Sequence, residues 1–352
     1  MILIVTFEVI SYIIFITFKL YFIYKNYRTF MRNKSKKNKL ENLNICQVTL
    51  RGNIATIKNN IIMFKKHYSN FRLFIICPKK DVKFFKRHIN FKNCEIINEE
   101  NILPLKKFIY IANKYFIKSN YYRKIQPRLS WYYQQILKIS FMIDFVSKKH
   151  EPILMWDADT ILLKKFNFFN NEKTFKYGTT FEFHRAYFDT NKMILKKLPK
   201  YFVAMTNQFI GLTPLENKFL IDKLKKIKKK NTLTPLWISH IISWAIFVSH
   251  KNFNGSMFSE QELIGQSNLL YSYEKQKLIH GLRTGLKGKL TCIQKKISVF
   301  FGYNYVSYEY SHPNINNKNM LNRYQSWFSF IGLIMNKTSN KIYRSIKHLL
   351  RF

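Results

Sequence analysis

Ile153-Leu154-Met155-Trp156-Asp157-Ala158-Asp159-Thr160 reads as a short apolar strand that ends in two closely spaced carboxylates. Open α/β sheets bind ligands at the carboxyl edge of their strands, and hard divalent cations take carboxylate oxygens. The stretch therefore predicts a metal site at Asp157 and Asp159. Strand positions two apart share a side, so the carboxylates converge if the strand runs on to Thr160 and separate if it bends. The spacing alone also fits a turn or capping pair. The buried run ahead of it favours the site, as does the scarcity of acids: 19 Asp and Glu against 60 Lys and Arg.

Upstream, periods alternate. Ile45–Leu50 reads as a strand, Ile54–Tyr68 as a helix, Leu73–Cys77 as a strand stopped by Pro78, Asp81–His88 as a short helix and Cys94–Ile97 as a third strand. Strands separated by helices imply a parallel sheet built from right-handed crossovers. A long helix, Leu129–Val146, then leads through Lys148-Lys149-His150 into the acidic strand. Beyond it, Tyr177–Phe183 and Phe202–Leu212 read as strands, Glu216–Lys229 and Pro235–Val248 as helices, and a third helix begins near Ser259. Neither G-x-G-x-x-G after the first strand nor a P-loop motif occurs, so phosphates must be held by other means. The expected fold is α/β, a Rossmann-type, mainly parallel sheet flanked by helices. It divides into an apolar segment 1–31, a basic linker 32–42, a catalytic domain 43–312 and a basic, amphipathic helical segment 313–352.

An apolar share of 47% with 17% aromatic residues excludes a disordered chain. The formal charge of +41 predicts attraction to anions, while the codon bias of an AT-rich genome is an alternative source of the many lysines. Lysines are spread over the whole chain with no nucleic-acid-binding signature, so no nucleic acid is expected; an anionic membrane surface and an anionic small substrate remain. Cys46, Cys77, Cys94 and Cys292 form no C-x-x-C pair and suit a reducing compartment. Met1–Tyr24 is apolar apart mainly from Glu8 and Lys19, and its basic flank follows it. That polarity predicts a membrane-associated N-terminus with the catalytic domain cytoplasmic. The interruptions leave a run shorter than the ~20 residues of a span, so an interfacial helix is the alternative. Near the other end, Trp327–Met335 and then Ile342, Ile346, Leu349 and Leu350 alternate with Lys341, Arg344, Lys347 and Arg351. This pattern suits an anionic bilayer or packing on the protein's own sheet.

On the long helix, Trp131, Gln134, Gln135 and Lys138 fall at i, i+3, i+4 and i+7 and share one face. Facing a ligand, the amides and the ammonium would bond sugar hydroxyls or phosphates; otherwise the helix is an ordinary amphipathic one buried through Ile136, Ile139, Phe141 and Ile143. In Phe258-Ser259-Glu260-Gln261-Glu262, Ser259 and Glu262 have the spacing of a capping box, which leaves Glu260 free. Glu260, with Glu262 behind it, is the candidate general base for an acceptor hydroxyl. Glu182 and His184 share a strand face. His184 is a candidate metal ligand or sugar contact and His280 and His312 are candidate third metal ligands, although a lone His is more often structural. Mn²⁺ or Mg²⁺ at the acidic pair would offset charge on a leaving nucleoside diphosphate.

Three segments in this order, Trp131-Tyr132-Tyr133-Gln134-Gln135-Ile136-Leu137-Lys138, Leu154–Thr160 and Phe258–Glu262, resemble a family of bacterial glycosyltransferases of the GT-A type met among surface-polysaccharide loci. The resemblance runs from about Leu43 to Tyr271. It implies a GT-A-like domain whose D-x-D, Asp157 and Asp159, binds metal and nucleotide sugar. It also implies that the Gln-Gln-x-x-Lys helix lies beside the donor and the Ser-Glu-x-Glu segment near the acceptor. The expectation is a metal-dependent glycosyltransferase that moves sugar from a nucleotide-sugar donor to a lipid-linked or surface-glycan acceptor, with Asp157, Asp159 and Lys138 holding the pyrophosphate. The alternatives are a nucleotidyltransferase of the same fold class and a non-catalytic, basic membrane-binding protein.

Overall fold

The computed structural model describes residues 43–116, 126–165, 167–169, 177–178, 184–199, 208–225, 257–271, 278–279, 288–308 and 326–335, with single positions at 238, 241, 242, 245 and 324. The expected apolar segment and linker, the helix expected at 235–248 (four single positions excepted), Glu182, His280, His312 and the residues after 335 lie outside them. Among the described residues no helix is long and apolar enough to cross a membrane.

The core is a five-stranded sheet in the order β3-β2-β1-β4-β7. Its strands are β1 (Leu43–Val48), β2 (Phe71–Cys77), β3 (Cys94–Asn98), β4 (Ile153–Trp156) and, after β5 (Thr160–Leu162) and β6 (Tyr177–Gly178), β7 (Phe209–Leu212). The first four are parallel, joined through α1 (Ile54–His67), α2 (Val82–His88), α3 (Leu105–Phe116) and α4 (Leu129–Lys149); β7 runs antiparallel to β4. The sheet is thus mainly parallel, as the alternation of periods predicts. The helices α3 and α5 (Arg185–Leu195), which the sequence reading did not assign, complete the layers together with α6 (Pro214–Lys225) and α7 (Glu260–Tyr271).

The strand β4 is buried along its whole length, as Ile-Leu-Met-Trp should be between two neighbours. Alternation splits its side chains between the layers. Met155 pairs with Cys46 and Cys46 with Phe74, whose ring meets Phe141 and Phe145 of α4. Trp156 faces the other layer. Its ring is stacked on Phe209 at 5.4 Å and 17°, and meets Phe64 of α1, Phe168 and Tyr305 edge-on. The helix α4 ends at His150, whose left-handed backbone (φ 54°) turns the chain into β4, with Lys148 and Lys149 in the last turn where cations oppose the helix dipole.

A smaller second core lies beyond β4. While β6 pairs with β8 (Leu278–Ile279), β5 pairs there with β9 (Tyr305–Ser307), and Ile161, Leu163, Leu290, Val306 and Tyr308 pack with Ile297 of α8 (Cys292–Phe300) and with Phe330 and Ile334 of a last helix over 327–335.

Candidate active site

The switch in strand order falls between β1, whose sequence successor β2 lies on one side, and β4 on the other. In open α/β sheets a crevice forms at the carboxyl ends of such a pair, and Asp157 stands there. The strand does not persist to Thr160. It ends at Trp156, and Thr160 N–H donates to Asp157 O at 3.1 Å, closing a turn. The two carboxylates are therefore presented by a bend and not along one strand face.

Each acid of the turn is held separately. Asp157 N–H donates to Gln208 O at 2.8 Å. Its Oδ1 accepts from Lys138 Nζ at 2.7 Å and its Oδ2 from Gln261 Nε2 at 3.0 Å, and the side chain remains 19% exposed. Asp159 is half-buried; its Oδ1 accepts from Thr160 Oγ1 at 3.2 Å and its backbone O from Tyr308 N–H at 3.0 Å. Thr160 Oγ1 also lies 3.0 Å from Gln208 Oε1, and Thr160 O accepts from Trp156 Nε1 at 2.9 Å and from Asn60 Nδ2. A buried Trp whose N–H has a partner is both packed and oriented.

Lys138 projects from α4 into this corner and is 95% buried. Its Nζ also meets Glu260 Oε1 at 2.8 Å, at the first residue of α7. The same helix face fixes α7 at two further points: Gln135 Oε1 accepts from Glu260 N–H at 3.1 Å, and Tyr132 Oη accepts from Met257 N–H at 3.0 Å. Of the four residues expected on this face, Gln135 and Lys138 reach the acidic pair's surroundings. Trp131 and Gln134 lie half-buried on the same helix, the Trp131 ring 5.1 Å from that of Tyr132.

Burial alone would lower the pKa of Lys138, but Asp157 and Glu260 outweigh it and hold the ammonium above the usual lysine range. Burial raises the carboxyl of Glu260 despite Lys138, and Asp157 adds to that rise. Glu262 is buried in α7, its Oε1 accepting from Gln266 Nε2 at 2.6 Å, while its N–H meets Ser259 Oγ at 3.4 Å, the cap expected there. His184 precedes α5, its ring 4.9 Å from that of Tyr187. Gln261, Gln208, Thr160 and Asn60 were not singled out in the sequence. Gln261 lies between Glu260 and Glu262, and like the others it carries no charge to mark it.

Asp157 and Asp159 are the residues here that could hold a hard divalent cation. Asp157 and Asp159 supply carboxylate oxygens, and Mn²⁺ or Mg²⁺ commonly takes one or two carboxylates and completes its shell with water and phosphate. Among the described residues no group of three or more His, Cys, Asp or Glu is placed to hold a metal.

The chain matches the family of unknown function DUF6492 over residues 50–264 and belongs to it. That span includes Lys138, Asp157, Asp159, Glu260 and Gln261. Comparison with curated protein sequences finds no match. Among solved structures the chain is similar to the PaToxG glycosyltransferase, at 17% identity and a TM-score of 0.28, over 66% of this chain and 70% of that one. It is similar to the apo-form glycosyltransferase GlyE of Streptococcus pneumoniae TIGR4, at 10% identity and a TM-score of 0.37, over 86% of this chain and 64% of that one. It is also similar to the galactosyltransferase LgtC, solved with donor and acceptor sugar analogs, at 7% identity and a TM-score of 0.37, over 84% and 96% of the two chains.

Proposed function

We propose that this protein is a glycosyltransferase that takes a sugar from a nucleotide-sugar donor to a lipid-linked or surface-glycan acceptor, with Mn²⁺ or Mg²⁺ held by Asp157 and Asp159. One observation carries the reading: a D-x-D turn at the carboxyl end of a buried central strand, at the switch in strand order, with Asp157 locked by Lys138 and Gln261. Lys138 and Gln261, from two different helices, hold the Asp157 carboxylate in one orientation, which is what a preorganised ligand requires. The bound cation would supply positive charge to the leaving diphosphate.

The chain's own residues divide the remaining work. Lys138 and Gln261 fix the rotamer of Asp157, and Thr160 directs a hydroxyl at Asp159, so both ligands are preorganised. Glu260 is 1% exposed and paired with Lys138, a placement that suits orienting the ammonium better than deprotonating an acceptor. We assign it, like Gln135, to positioning; Glu262, buried with Gln266, supports the start of α7.

The test is transfer from a panel of radiolabelled nucleotide sugars. Transfer should require Mn²⁺ or Mg²⁺ and vanish in Asp157→Ala and in Asp159→Ala. Full transfer in both variants, each shown to fold, ends the proposal. Calorimetric titration with UDP or GDP separates it from a basic scaffold, whose nucleotide binding would be indifferent to the cation.

A further inference from the structure

The helix over 327–335 is apolar around more of its circumference than the described residues cover. Phe330 and Ile334, one turn apart, enter the second core with Ile161, Leu163 and Val306. Trp327, Phe328, Ile331 and Met335 are exposed, Phe328 at 91%, and a side chain added at Gly332 would meet open space. Single exposed apolar residues are ordinary, whereas four large ones contiguous on one helix mark an interaction surface. On α8, Ile293 and Phe300 are exposed too, while Ile297 between them packs into the same core.

Along this part of the sequence the charge has one sign. From Lys275 to Phe352 there are fourteen Lys and Arg and a single acid, Glu309. Lys295 and Lys296 stand on α8, and Lys289 Nζ lies 4.5 Å from the centre of the exposed Tyr324 ring. The helix 327–335 itself carries no charge. A second copy of the chain would set the same basic residues, such as Lys289, Lys295 and Lys296, against one another, which opposes self-association through this surface. An occupant must offer an apolar interior beneath a negatively charged surface.

We propose that this end of the molecule docks on an anionic phospholipid bilayer, with Trp327, Phe328, Ile331 and Met335 entering the acyl boundary and the lysines meeting the headgroups. Apolar burial and electrostatic attraction then add, as they do for interfacial amphipathic helices. The inference stands without the proposed activity, since lipid binding needs neither donor nor acceptor.

The experiment uses the full chain and vesicles of phosphatidylcholine with phosphatidylglycerol, brominated on the upper acyl chain. Tryptophan emission should be quenched on vesicle addition, and Trp327→Phe should lose most of that quenching while still folding. The reporter ignores any insertion of the apolar segment Met1–Tyr24, which contains no tryptophan. Phe328→Asp with Ile331→Asp should weaken partitioning by about tenfold or more. Salt, or vesicles of phosphatidylcholine alone, should weaken it as well. Equal quenching in Trp327→Phe overturns the proposal, as does unchanged partitioning of the double variant. A lipid-free dimer that shields Trp327 overturns it in favour of a second copy. Should the double variant unfold, the quenching of Trp327→Phe decides alone.

Discussion

The ammonium of Lys138 meets the carboxylate of Asp157 at 2.7 Å across 19 residues of chain, and both are fixed to regular elements, α4 and the end of β4. Because Nζ also bonds Glu260, removal of the ammonium leaves two buried or half-buried carboxylates facing each other. Lys138→Met should cost about 3–5 kcal/mol of stability by urea unfolding, with Glu260→Gln added to it costing less than the two separate losses summed. Strict additivity would show that the three groups do not act as one cluster.

The pH profile of that loss has a definite sign. Lys138 has its pKa raised by folding, so its contribution is complete below the unfolded lysine value of about 10.4 and declines only as pH climbs through the higher folded value. The gap between wild type and Lys138→Met should stay level from about pH 7 to 9. A gap that closes within that window contradicts the assignment.

Glu99 behaves in the opposite practical sense. Burial first, then Glu100 and Asp81, raise its pKa, so its stabilising protonated form is lost as pH rises. Glu99→Gln should melt higher than wild type at neutral pH, and the difference should shrink as the buffer falls toward about pH 4. Equal melting temperatures at pH 7 would show that the acid is not strained there.

Trp156 links packing to the acidic turn. Trp156→Ala should cost about 3–5 kcal/mol through the cavity among Phe64, Phe168, Phe209 and Tyr305. Trp156→Phe keeps most of the packing but loses the Nε1 bond to Thr160 O, at about 1 kcal/mol. Its informative readout is Mn²⁺ affinity in the presence of nucleotide, which should fall although the indole itself offers the cation no oxygen.

The thiols should separate by reactivity. Burial pushes Cys77 and Cys94 up to about 12 and raises Cys46 beyond the ordinary thiol range, whereas Cys292 is exposed. Brief alkylation of the native protein near pH 8, followed by peptide mass spectrometry, should modify Cys292 well ahead of the other three.

Much of this was legible from residues. Period changes between Ile45 and Ile97 located three strands and two helices to within a few positions, because buried parallel strands are written as apolar runs. Helical spacing joined Gln135 to Lys138, and the scarcity of acids singled out Asp157, Asp159 and Glu260. What escaped was non-local. That β7 runs antiparallel to β4 is not encoded in either strand's own sequence, and the turn after Asp157 depends on Gln208, whose O accepts from Asp157 N–H, and on Asn60, which donates to Thr160 O, both far along the chain. The expected general base illustrates the same limit: spacing showed Glu260 free of the cap, and only tertiary structure put it beside Lys138.

The pairing of β1 with β4 has a consequence for biosynthesis. β1 is translated about a hundred residues before the strand that covers its second side, and meanwhile that side presents unpaired N–H and C=O groups. A ribosome-bound chain that stops short of Ile153 therefore carries a sticky apolar ribbon, and the cell must keep nascent copies apart until Ile-Leu-Met-Trp emerges to close the gap.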